Sequence, residues 1–184
     1  ATHVLSWALR ETLGDGVRQA GSYVGPDKLR FDFSHRGRVE PETLREIERM
    51  VNARVDEDQP VTWRIVDREA AAEEGAIGLF EEKYGERVRV ISFDPYSTEL
   101  CGGTHARATG DIGLLKILSD SGIASGVRRI EAATGLAALA IKLEDGAFDV
   151  MDWRGVAGGQ NRERALFFFN ACDIGQAESV AGAV

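Results

Sequence analysis

The sequence predicts an α+β fold, a largely antiparallel sheet packed against helices, on three observations. Helical and β-prone stretches are mixed without the regular alternation of a doubly wound sheet. Residues 41–55 put Leu44, Ile47, Met50, Val51 and Val55 on one stripe, with Glu and Arg on the other faces, as an amphipathic helix requires. Residues 87–93 alternate Arg with Val, the period of a half-buried strand.

The elements follow in order. In residues 1–13, Val4, Leu5, Ala8, Leu9 and Leu13 recur at helical spacing until Gly14-Asp15-Gly16 ends the pattern, which puts His3 near a helix start. Residues 17–24 and 28–33 are short β-prone runs around Gly25-Pro26-Asp27, a turn in which Pro fixes one φ angle, and they predict a hairpin. A strand is expected over 61–66, with Asp67 as the N-cap of a short helix ending at Gly75. The strand over 87–93 leads through Asp94-Pro95-Tyr96 into the loop around Cys101. Residues 112–118 and 127–132 read as further strands, and Thr134 is placed to cap a helix running to Lys142. After Glu144 the chain turns to scattered glycines and the run Phe167, Phe168, Phe169, a tail to which the sequence assigns no function.

Composition narrows the field. A chain of 184 residues, 43% hydrophobic, buries one sizeable core with room for a small appendage, so one main domain is expected. The net charge of -8 argues against a general nucleic-acid binder, which needs clustered Lys and Arg to displace counterions from phosphates. No apolar run is long enough to cross a bilayer and the amino terminus lacks signal-peptide features, so a soluble, cytoplasmic protein is expected. Two cysteines, Cys101 and Cys172, are too few for a disulfide scaffold, in keeping with a reducing compartment.

The chemistry centres on Glu99-Leu100-Cys101-Gly102-Gly103-Thr104-His105. A thiolate and an imidazole four residues apart, with two glycines that let the backbone fold tightly between them, suit one zinc ion. A buried thiol beside a capping imidazole has the same spacing, so the pair alone does not decide between the two.

Further stretches carry a resemblance: Ala1-Thr2-His3-Val4-Leu5, Gly21-Ser22-Tyr23-Val24, Leu29-Arg30-Phe31-Asp32-Phe33-Ser34-His35, Glu82-Lys83-Tyr84, Thr109-Gly110-Asp111-Ile112-Gly113 and Gly126-Val127-Arg128-Arg129-Ile130-Glu131-Ala132. With the Cys101 loop, and in this order, they resemble the editing domain of alanyl-tRNA synthetase, a module similar to free-standing alanyl-tRNA editing proteins and to part of threonyl-tRNA synthetase. The resemblance runs to about Lys142, which implies an editing domain over 1–143 and a tail over 144–184. It departs at Glu81, where the family commonly has glycine, and in the tail, where the family continues into a long charged helix.

The resemblance implies the fold of the threonyl/alanyl-tRNA synthetase second additional domain and a zinc-dependent hydrolase. The expected reaction removes serine or glycine from wrongly charged tRNA(Ala), whose acceptor end is the expected partner together with the remaining domains of a parent synthetase. His3 matches the second histidine of a His-x-x-x-His helix motif, so His3, Cys101 and His105 are the implied metal ligands. The first histidine of that motif falls before Ala1, which reads as a truncated amino-terminal edge with weaker zinc binding. His35 is not used as a ligand in the family.

Thr2 and Thr104, beside the ligands, are candidates to hydrogen-bond the serine hydroxyl, and by resemblance Gln19 lies at the pocket edge. Arg128 is a candidate for the ribose-phosphate end of the tRNA or for holding the site together, whereas Arg129 should face the opposite way. A free-standing editing protein and a non-catalytic tRNA-binding module with a degenerate zinc site are the competing readings. A purely structural zinc domain is a ligand short.

Overall fold

The computed structural model describes residues 1–78 and 85–144. The departure at Glu81, the phenylalanine run and Cys172 therefore lie outside the described residues.

The elements form two four-stranded sheets around one helix. The first contains β1 (Gln19–Val24), β2 (Leu29–Ser34), β8 (Val127–Thr134) and β7 (Leu115–Ala124), in that order and antiparallel throughout. The second runs β3 (Thr62–Asp67), β5 (Arg87–Phe93), β6 (Ser97–Leu100) and β4 (Ile77–Gly78), antiparallel except for the β4–β6 pair. The antiparallel sheet expected from the sequence is thus present as two sheets, packed with helices α1 (Thr2–Leu13), α2 (Pro41–Asp56), α3 (Arg68–Glu73) and α4 (Gly135–Glu144).

The first sheet carries the main core. Leu29, Phe31 and Phe33 of β2 and Ile130 and Ala132 of β8 are buried with Val4, Leu5, Ala8 and Leu9 of α1 and Ile47 and Val51 of α2. Each fully buried Phe or Leu contributes about 1.5–3 kcal/mol through removal of apolar surface from water. The opposite face is polar: Asp32 stands across from Arg129, which donates two hydrogen bonds to its carboxylate at 2.7 and 2.9 Å. The guanidinium holds that carboxyl below its ordinary range despite the opposing effect of burial.

Helix α1 has two working faces. Val4, Leu5, Ala8 and Leu9 enter the core, while His3, Ser6 and Arg10, at i, i+3 and i+7, face the second sheet. The second sheet uses both of its own faces. Val88, Val90 and Leu100 pack with Ala71 of α3, whereas Ile91, Phe93, Ser97 and Glu99 alternate with them and are buried on the other side.

Two local expectations change. Residues 109–112, the last of which overlaps the strand expected from 112, form a 3-10 turn that stops at Gly113, with φ 66°. Asp111 Oδ2 accepts from the Arg107 and Ala108 amides, and the Gly110 amide donates to Asp58 Oδ1 at 3.2 Å. A Cβ on Gly110 would lie 2.2 Å from that oxygen, so the turn needs glycine there. Asp67 does stand at the N-cap of α3, but its side chain makes no capping bond. Among the described residues no helix is long and apolar enough to cross a membrane.

Candidate metal centre

The site lies on the seam between the two sheets. α1 delivers His3, and β6 leads directly into the loop that delivers Cys101 and His105. The three side chains are half-buried, and one ligand atom from each lies within 4.8 Å of the others. His3 Nε2 and His105 Nε2 face each other at 3.2 Å. Two nitrogens bound to one tetrahedral zinc at about 2.0–2.1 Å would be about 3.3 Å apart, so the observed spacing fits the ion the donor set suggests.

The loop is held at its base. The Cys101 amide donates to the Arg89 carbonyl at 3.1 Å, and Arg89 Nη1 donates to the Gly103 carbonyl at 2.7 Å. Arg89 also lies 5.0 Å from the Trp63 ring centroid. A single β5 side chain thereby spans from the outer strand to the turn between the two loop ligands.

Beneath His3 is a carboxylate that sequence reasoning left without a role. Glu99 is 1% exposed. Its Oε2 accepts from His3 Nδ1 at 2.6 Å, and its Oε1 accepts from Ser97 Oγ at 2.8 Å and from Arg10 Nη2 at 3.4 Å. Burial alone would raise the Glu99 carboxyl, but the contacts with His3, Ser97 and Arg10 hold it below its usual range.

The same cluster sets the charge of the metal-free donors. Burial works against a charged His3, yet Cys101 and Glu99 outweigh it and raise the imidazole to about 9. Cys101 is lowered, by the His3 hydrogen bond first, with burial opposing. His105 is pushed down to about 4 by burial and then by the charges of His3 and Arg89. At neutral pH the pocket therefore pairs a cationic imidazole with a thiol displaced towards thiolate, beside a neutral imidazole. His105 Nδ1 is buried without a hydrogen-bond partner.

The other residues singled out in the sequence are spread more widely. Thr2 is half-buried in the first turn of α1, and Thr104 is exposed in the ligand loop. Gln19 opens β1 and donates its amide to Ser22 Oγ at 3.0 Å. Arg128 is committed to Asp120 through two hydrogen bonds, from Nε at 2.8 Å and Nη2 at 2.5 Å, and Asp120 also receives the Val39 amide. None of these contacts joins Gln19 or Arg128 to the ligand triad. Arg129 faces the opposite side of the sheet with Asp32, and the His35 ring stacks at 6.3 Å on Phe33, away from the metal cluster.

Residues 88–131, which include β5, β6 and the ligand loop, match the threonyl and alanyl tRNA synthetase second additional domain. The chain is also 57% identical over 139 residues to the alanine--tRNA ligase of Methylococcus capsulatus, which covers 76% of this chain. The chain carries the editing domain of alanyl-tRNA synthetase. The corresponding protein of Saccharophagus degradans, of the same name, is 56% identical over 142 residues, 77% of the chain. Each match spans 16% of the relative's length, so this domain corresponds to a minor part of those ligases.

Three features of the alanyl-tRNA synthetase domain were not recognised from sequence: the carboxylate of Glu99, the guanidinium of Arg10 beside it, and the bridge made by Arg89. The signal for the first was present. Ser97, Glu99 and Cys101 recur at every second residue, which on a strand puts all three on one face, but the short run behind Asp94-Pro95-Tyr96 carries no other strand signal and reads as part of the loop.

Proposed function

We propose that this domain hydrolyses the ester joining serine or glycine to the 3' end of tRNA(Ala), using a zinc ion held by His3, Cys101 and His105. The observation that carries the reading is the convergence of these donors, from residues about a hundred positions apart, in a chain similar to alanine--tRNA ligases.

Such a step answers a chemical difficulty. A pocket built for alanine excludes neither glycine, which is smaller, nor serine, which adds only a hydroxyl, so a second site must remove the error. A hydrogen bond to that hydroxyl supplies the discrimination, and Thr2 and Thr104, each adjacent in sequence to a ligand, are the groups we assign to it, with Gln19 at the pocket edge. Zinc here would polarise the ester carbonyl, orient the substrate amine or acidify a water.

The protein's own residues then divide the remaining tasks. His105 is neutral at working pH and offers a lone pair. Cys101 supplies the anionic charge, and Arg89 fixes the turn between them. Arg128, occupied by Asp120, holds the end of the first sheet together and does not touch the tRNA. With a net charge of -8, the domain receives only the acylated end of the tRNA, while other parts of a larger cytoplasmic synthetase hold its body. The short span of the match supports this over a free-standing protein.

The test is the rate of hydrolysis of seryl-tRNA(Ala) by the chain, with alanyl-tRNA(Ala) as control and Cys101→Ala alongside. Zinc-dependent loss of the seryl ester, absent in the variant and slow for the alanyl ester, is expected. Seryl-ester hydrolysis no faster than in the variant would overturn the reading of Cys101 as a ligand of a hydrolytic zinc site.

A further inference from the structure

We propose that Glu99 is the positioning residue of the metal centre, fixing the ring and tautomer of His3 so that Nε2 faces the pocket. The proposal rests on the reading of His3, Cys101 and His105 as zinc ligands, and adds to it a residue outside the ligand set.

The geometry gives each oxygen of Glu99 a separate task. Oε2 accepts a hydrogen bond from His3 Nδ1 at 2.6 Å, which leaves Nε2 as the nitrogen directed at His105 Nε2, 3.2 Å away. A neutral histidine has one donor and one acceptor nitrogen, so an acceptor fixed at Nδ1 makes Nε2 the metal-binding lone pair. Oε1 is meanwhile engaged by Ser97 Oγ and Arg10 Nη2, which prevents the carboxylate from rotating away from the imidazole. Arg10 Nη1 is steadied in turn by Ser6 Oγ at 3.2 Å.

The placement follows from two periodicities meeting. His3 and Arg10 lie seven residues apart on one face of α1, two turns along the helix, and they straddle the same carboxylate. Ser97, Glu99 and Cys101 lie two residues apart along β6 and its exit, so the strand that presents the thiolate also presents the carboxylate. One buried acid therefore sets the rotation of α1 against β6 and, through it, the distance between donors on the two elements.

A carboxylate or carbonyl acceptor behind a metal-binding histidine raises the basicity of the ring and fixes its orientation, and loss of it typically costs 10–100-fold in metal affinity. The experiment measures zinc affinity of the full chain by competition with a chromophoric chelator, for wild type, Glu99→Gln and Glu99→Ala. The ring nitrogens of His3 are followed by NMR in the zinc-loaded proteins. The alanine variant is expected to bind about 10–100-fold more weakly. The glutamine variant, whose carbonyl can still accept from Nδ1, should lose only part of this, with the Nδ1–H signal retained but shifted.

Chemical denaturation of the metal-free proteins separates this from a structural role. Variants with lowered midpoints but wild-type zinc affinity under folding conditions would overturn the assignment. If the alanine variant does not fold, Glu99→Gln decides, and unchanged affinity with an unchanged His3 ring spectrum overturns it. A wild-type chain that takes up no zinc overturns the ligand reading itself, and Glu99 falls with it. Zinc binding that is equal in all three proteins overturns only the role of Glu99.

Discussion

The sheet β1–β2–β8–β7 is pressed against α1 and α2, with Phe31 and Phe33 wholly buried, whereas the sheet β3–β5–β6–β4 sets Val88, Val90 and Leu100 against Ala71 of α3 and leaves Trp63 60% exposed on its outer strand. The first is a stability structure; the second is a thin platform that carries Cys101, His105 and Glu99. What joins them is α1, whose apolar face belongs to the first sheet and whose polar face completes the site on the second. The contrast teaches that the chemistry here depends less on either sheet than on the helix shared by both.

Substitutions can break this division, and the largest effect should come from the ligand loop. Cys101→Ala should abolish stoichiometric zinc uptake while moving the denaturation midpoint of the metal-free chain very little, because Cys101 lies outside the main core. Equilibrium dialysis and chemical denaturation check the two halves of that statement. Phe31→Ala should do the opposite in kind, costing about 3–5 kcal/mol of folding stability through the cavity it leaves, and should weaken zinc binding only as far as the fold is lost.

A smaller effect sharpens the comparison through pH. Burial pushes Asp56, the last residue of α2, up to about 7. Its folded form therefore holds a proton that the unfolded chain has already released, so stability should fall as pH rises from about 4 to about 7 and level off above. Asp56→Asn should remove that decline, gaining of order 1 kcal/mol at pH 8 and nearly nothing at pH 4, as read from denaturation midpoints at both values. The smallest effect belongs to the outer edge of the thin sheet. Trp63→Thr should change stability by about 0.5 kcal/mol or less, since the residue is exposed and its main described contact is with Arg89.

The elements that were legible in the sequence are those with their own periodic signal. α1, the β1–β2 hairpin, α2, β3, α3, β5, β8 and α4 were expected within a few residues of where they lie, because each carries a stripe, an alternation, a turn or a bounding residue. β6 and β4 carry none. β6 is four residues long and becomes a strand only by pairing Ser97 with Phe93 and Thr98 with Ser92 across the tight 94–96 turn, and β4 exists as two residues laid parallel to it. The same reason divides the site. Cys101 and His105 are legible from their spacing and His3 from resemblance, but the part played by Glu99 depends on Arg10 and His3, which are 89 and 96 positions away in the chain. No local pattern records a contact of that span.

That span also sets a clock on the ribosome. His3 is synthesised 102 positions ahead of His105. At about 5–20 residues per second, roughly 5–20 s separate the first donor from the last. During that interval the nascent helix presents an imidazole with neither its thiolate nor its orienting carboxylate. On the proposed ligand set, metal acquisition would be a late event in the life of the nascent chain, following the laying of β6 beside a helix that was made long before it.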